Sequence, residues 1–160
     1  ILAVVSKVPD EQVMSYLDAT VAWARRDPRI DGARAGITGF CWGGRIVWLY
    51  ATRPTVKAGV AWYGSLSHAL NAKKTRTPLD VAARLKAPVL GLYAGKDPGI
   101  PVSHVELMRR EIASAKGTSE FVVYPDAKHG FHADYRPSYS KAAADDAWPR
   151  CLAWLKKNGV

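Results

Sequence analysis

In PDEQVMSYLDATVAWARRDP, residues 9–28, the apolar side chains Val13, Leu17, Val21 and Ala24 recur every three or four positions. That is the spacing of one helix face. Asp10 suits the N-cap, where a short acceptor takes an orphan N–H of the first turn, and Asp27-Pro28 ends the helix. The rhythm then changes to short, continuously apolar runs: ARAGITGF (33–40), KAGVAWYG (57–64), PVLGLYAG (88–95) and the start of SEFVVYPDAKHGF (119–131). Such runs predict strands buried on both faces rather than strands with one wet side. Helical stretches alternate with them. GRIVWLYATRP (44–54) stops before its proline, and PLDVAARLK (78–86) is a short helix in an otherwise polar, turn-rich segment. VSHVELMRREIASAKG (102–117) puts Val105, Met108 and Ile112 on one side and offers Gly117 as a C-cap. SKAAADDAWPRCLAWLKKNG (140–159) is a terminal helix in which Pro149 predicts a kink or a fresh start.

Strands alternating with helices imply an α/β fold, a mostly parallel sheet with helices on both faces. In such sheets functional groups gather at the carboxyl ends of the strands. Cys41 follows the first strand, Asp97 the third and His129 the fourth. That shared placement is the main functional signal.

Gly39, Cys41 and Gly43 fit G-x-S-x-G, the sharp strand-to-helix turn of a nucleophile elbow, with cysteine in place of serine. Glycines are expected on both flanks because a Cβ there would collide with the turn, and Gly44 adds room. The turn aims the backbone N–H of Trp42 at an attacked carbonyl, half of an oxyanion hole, while the positive end of the following helix favours a thiolate. Read alone, Cys41 is equally a small buried filler, the usual role of a free cysteine. Asp97 alone is a turn residue before proline, and His129 alone a loop histidine. Their order, nucleophile, acid, histidine, is the order of α/β-hydrolases, and three coincidences at three strand ends outweigh the bland readings. His132 lies too close to His129 for both to face Cys41, and His104 and His68 do not lie at strand ends. Cys151 falls in helical register with Ala147 and Leu155, a core position.

The 160 residues suit one domain, and no apolar run approaches the roughly 18 residues of a membrane span. The opening ILAVVSKVPDEQ has neither the basic start nor the cleavage site of a signal peptide. It begins on the end of an apolar segment without methionine, which suggests a piece of a longer protein. A net charge of +9 raises the question of nucleic acid, but the basic residues are scattered, KKTR (73–76) being the densest cluster, and no recognition motif accompanies them. A solvated basic surface that steers anionic substrates is the simpler account. Two distant cysteines make no disulfide framework or zinc pattern, so no metal is expected and the setting is a reducing cytoplasm.

GITGFCWGGR, PVLGLYAGKDPGIP and YPDAKHGFHADYRPSY, with the terminal AWPRCLAWLKK, resemble the dienelactone hydrolase (carboxymethylenebutenolidase) family of α/β-hydrolases along essentially the whole chain. The resemblance implies Cys41 as nucleophile, His129 as base and Asp97 as its orienting acid, acting on a small, anionic ester or lactone without cofactor. It also implies that this chain is the C-terminal two-thirds of a family domain. The preceding third would carry the first strands, the second oxyanion-hole N–H, and a glutamate and an arginine that serve the cysteine and the substrate carboxylate. Family members place another carboxylate-binding arginine shortly after the histidine; here the nearest is Arg136, farther along. Two alternatives stand beside dienelactone-type hydrolysis: a broader carboxylesterase or thioesterase, and a fragment that keeps the motif without activity.

Overall fold

A computed structural model describes residues 7–68 and 71–160. Four parallel strands, β1 (Gly36–Phe40), β2 (Ala58–Trp62), β3 (Val89–Ala94) and β4 (Glu120–Tyr124), lie side by side in chain order. Thr38 sits opposite Val60, and Gly91 opposite Phe121. The central strands β2 and β3 are buried at every position, as their unbroken apolar runs require. Among the described residues β1 and β4 each pair with one strand and keep part of their surface exposed, so continuous burial holds where a strand has a neighbour on each side.

Helix α1 (Asp10–Ala24) precedes β1, helices α2 (Trp42–Tyr50), α3 (Pro78–Val81) and α4 (Val102–Ser114) separate the successive strands, and α5 (Lys141–Lys157) follows β4. Strand parity shows that they cover both faces. Gly59 faces Val47 of α2, whereas Trp62, of opposite parity, stacks on Trp148 of α5. On the α2 face Trp48 stacks on Phe121 and donates its indole N–H to the Tyr93 hydroxyl at 2.9 Å. Residues 44 to 50 of α2 are all buried, and a helix enclosed on every side belongs at the centre of a fold.

Four local expectations need correction. The segment before β1 is a 3₁₀ turn, Gly32–Arg34, capped by the Asp31 carboxylate, so the first strand is shorter than its apolar run. Asp10 is the first residue of α1 rather than its cap, and its carboxylate binds Arg45 instead. Helix α4 closes in a Schellman turn in which Lys116, not Gly117, takes the left-handed position (φ 58°), while the N–H of Gly117 bonds the Ile112 carbonyl. Pro149 lies within a single helical span, Lys141–Lys157, with Ser140 as N-cap, so the helix makes no fresh start there.

Candidate active site

Parallel strands bring all their carboxyl ends to one edge of the sheet, and the chain leaves β1 there through a strained turn. Cys41 has φ 53° and ψ −116°, is the N-cap residue of α2, and anchors its own N–H on the Trp62 carbonyl at 3.0 Å. A non-glycine residue at positive φ is costly and persists only where its surroundings hold it. Two glycines do so. A Cβ on Gly39 would stand 2.5 Å from the Gly43 carbonyl, and one on Gly44 would stand 2.7 Å from the Trp62 carbonyl oxygen. Gly43, expected to be sterically required, faces open space among the described residues. The elbow therefore depends on Gly39 and Gly44. Trp42 is the first residue of α2, where a backbone N–H has no intrahelical partner and remains available at the turn.

Asp97 lies in the loop after β3 and is nearly buried, at 7% exposure. One carboxylate oxygen accepts the Gly99 N–H at 2.9 Å; the other meets His129 Nδ1 at 2.6 Å. Backbone bonds from Gly95 N–H to Tyr124 O and from Lys96 N–H to Ala127 O join this loop to the one after β4, which fixes the acid against the imidazole. His129 Nε2 is 3.3 Å from Cys41 Sγ. Gly130, at φ 78°, turns the chain back immediately after the histidine, and the Ser140 N–H closes the loop onto the Phe131 carbonyl.

A carboxylate only accepts, so Nδ1 carries a proton and donates to Asp97, leaving Nε2 to exchange a proton with the thiol. The hydrogen bond to Cys41, followed by the bond and charge of Asp97, raises the His129 pKa to about 9 against the opposing effect of burial. Such an alignment of thiol, imidazole and carboxylate is what an activated sulfur nucleophile requires.

The other histidines lie elsewhere. His132 packs among Phe40, Trp62 and Trp148, and burial lowers its pKa. His68 stands beside Arg45, and His104 lies in the first turn of α4. Cys151 is buried in the core, which raises its thiol pKa. Arg136 lines the same cavity as Cys41, about 780 Å³ in volume, so the 130–139 loop brings it to the site despite its distance from His129 in sequence.

Two features escape sequence reasoning. Tyr63, at φ 37° just past β2, is buried with its ring edge-on to the His129 imidazole at 5.1 Å and forms part of the cavity wall. Burial raises its pKa, with the Cys41 charge acting in the same direction. The only sequence hint is its place at a strand end before Gly64. Arg45, four residues beyond Cys41, is held by two bonds of 2.7 Å to Asp10 and one of 2.8 Å to the Arg76 carbonyl. Nothing local signals contacts made across 31 to 35 residues.

Among curated proteins, the chain is 59% identical over 158 residues to one named a carboxymethylenebutenolidase from Methylorubrum extorquens, covering 98% of this chain and 54% of that protein. It is 51% identical over 156 residues to one of the same name from Escherichia coli K12, covering 97% and 57%. A crystal structure titled as a dienelactone hydrolase, from Klebsiella pneumoniae, superimposes with a TM-score of 0.91 at 52% identity, over 95% of this chain and 63% of that one. The chain thus spans little more than half the length of those curated relatives. Its residues 1–159 match the dienelactone hydrolase family, and with that match and the shared fold, the chain belongs to that family.

Proposed function

We propose that this chain carries the catalytic centre of a hydrolase that opens small esters or lactones through Cys41. The observation that supports this reading most is the continuous contact from Cys41 Sγ through His129 to Asp97, at 3.3 Å and 2.6 Å. The names of the relatives point to a lactone, and Arg136 gives the cavity one cation for an anionic substrate. The chain is read as a single α/β-hydrolase domain working in a reducing cytoplasm; no described helix is long and apolar enough to cross a membrane.

His129 accepts the thiol proton, and the sulfur attacks the carbonyl carbon, forming a C–S bond as the C=O pair moves to oxygen. The Trp42 N–H donates to that oxyanion. As the C–O bond breaks, the imidazolium returns its proton to the departing alkoxide or enolate, leaving a thioester on Cys41. Water then attacks, His129 takes its proton, and collapse breaks the C–S bond, releasing the acid and returning the proton to the sulfur. Asp97 holds the imidazole tautomer and stabilises its charged form throughout.

Alkylation with iodoacetamide tests the assignment. Hydrolysis of an activated aryl acetate should fall in step with modification of Cys41 in peptide maps. Undiminished turnover at full Cys41 alkylation would sink it. A broader esterase would turn over neutral aryl esters as fast as a charged dienelactone, whereas an inactive fragment would show no turnover.

A further inference from the structure

His132 takes no part in the triad, yet it borders the same cavity as Cys41 and Arg136. The loop that carries it is folded by its own backbone. The Ala133 N–H bonds the Gly130 carbonyl at 2.9 Å, and the Arg136 N–H bonds the Ala133 carbonyl at 3.0 Å. These two turns bring His132 and Arg136 to one wall. Three rings from three elements then hold the imidazole: Trp62 of β2 at 4.6 Å, Trp148 of α5 at 5.6 Å, and Phe40 of β1, the residue before Cys41, at 5.7 Å. Strand ends and the terminal helix therefore fix this ring, much as strand ends fix the triad.

A residue that only filled an aromatic corner would have no use for ring nitrogens, which are costly to bury dry. Neither nitrogen of His132 is sealed inside the protein without a partner. Among the described residues, burial and the charge of Asp134 are what act on its titration, with no hydrogen bond to the ring. Of the titratable groups around it, β1 leads to Cys41, β2 to Tyr63, and α5 carries Asp145, which pairs with Lys141. The loop itself carries His129, Asp134 and Arg136. Burial outweighs Asp134, so the ring of the free protein is mostly neutral at pH 7. An anion bound against it would supply the counter-charge that burial leaves it short of.

Resting on the Cys41 reading, we infer that His132 is a specificity-determining residue that binds the carboxylate of an anionic ester or lactone and takes up a proton as it does so. Neutral, the ring offers the carboxylate one N–H; protonated, it offers two and a charge. Arg136 contributes a charge that does not vary with pH, whereas that of His132 does. By linkage, a ligand that favours the protonated ring binds more tightly as pH falls, so anionic substrates gain on neutral ones in mild acid.

The esters 3-acetoxybenzoate and 3-acetoxybenzamide test this, because they match in size and differ in charge. Dividing their kcat/KM values removes the pH dependence of Cys41 and His129, which both esters share. For the full chain the anionic-to-neutral ratio should be about three- to tenfold higher at about pH 5.5 than at about pH 8, and the change should lie in KM. His132→Gln, which keeps a donor, and His132→Phe, which keeps a ring, should each make the ratio level with pH. Arg136→Gln should lower it at every pH and keep the slope. A level ratio in the unchanged chain, or a slope that survives in both His132 variants, would overturn the inference while leaving Cys41 hydrolysis intact. NMR titration of the His132 ring in the unchanged chain separates the two ideas from the other side. With saturating 3-acetylbenzoate, which has no ester to cleave, its midpoint should rise by about half to one pH unit, and 3-acetylbenzamide should leave it in place. A rise without turnover of either ester would overturn the hydrolytic reading and keep this one; no rise would overturn this one.

Discussion

Replacing Asp10 with asparagine should destabilise the fold far more than its place at a helix start suggests. Its carboxylate grips both terminal nitrogens of Arg45 at 2.7 Å, and the two side chains are only 9% and 3% exposed. Arg45 sits in the first turns of α2, the helix that Cys41 caps, within the buried run Gly44–Tyr50. Asparagine keeps the shape but removes the charge and turns one of the two acceptors into a donor, leaving a guanidinium in the core with neutral partners: the remaining amide oxygen, the Arg76 carbonyl and the His68 ring. An uncompensated buried charge of this kind costs about 3–5 kcal/mol, against at most about 1 kcal/mol for an exposed pair. A domain of this size commonly has about 5–15 kcal/mol in total, so the loss is a large fraction. The melting temperature should drop by roughly 6–20 °C. Urea unfolding followed by circular dichroism gives the free energy directly. The double replacement Asp10→Leu with Arg45→Met should recover most of it, because two apolar side chains leave no charge to compensate. A loss below about 1 kcal/mol for Asp10→Asn, or no recovery in the double variant, would refute the reasoning.

Two other outcomes follow from the site. Gly39→Ala and Gly43→Ala should move stability in opposite directions. The first drives a Cβ into the Gly43 carbonyl and should cost about 1–3 kcal/mol along with activity; the second adds a methyl in open space within a helix and should gain about 0.4–1 kcal/mol. Matching urea midpoints for the two would contradict the elbow geometry. NMR titration of His129 should give a midpoint near 9 in place of 6.5, and Cys41→Ala, which removes the first cause of the shift, should bring it down. Because the folded value is raised, the proton's contribution to stability is full below about 6.5 and is lost as pH rises through about 9. A midpoint at or below 6.5 would show that burial outweighs the two partners.

The sequence revealed this site unevenly, for physical reasons. Cys41, Asp97 and His129 were legible because strand ends in a parallel sheet converge, so three local patterns become one place without any long-range information. Strands β2 and β3 were legible from their unbroken apolar runs, since both faces are covered. Asp10 was misassigned because capping is a local rule, whereas its partner lies 35 positions away. Gly43 was overvalued because the elbow pattern records spacing, while the clash that matters runs from Gly39 to the backbone of Gly43. Tyr63 stays hidden because an aromatic residue on an apolar pattern looks like core until a cavity lies beside it.

Capture of the acyl-enzyme tests the central claim most directly. With solvent base taking the thiol proton and an aryl oxide that leaves unprotonated, His129→Gln should still accept an acetyl group from an activated aryl ester, slowly, but lack the base that clears it. Intact mass should rise by one acetyl, digestion should place it on the peptide carrying Cys41, and neutral hydroxylamine should remove it as it does a thioester. An acetyl group found on another residue, with Cys41 unmodified, would contradict the assignment of Cys41 as the nucleophile.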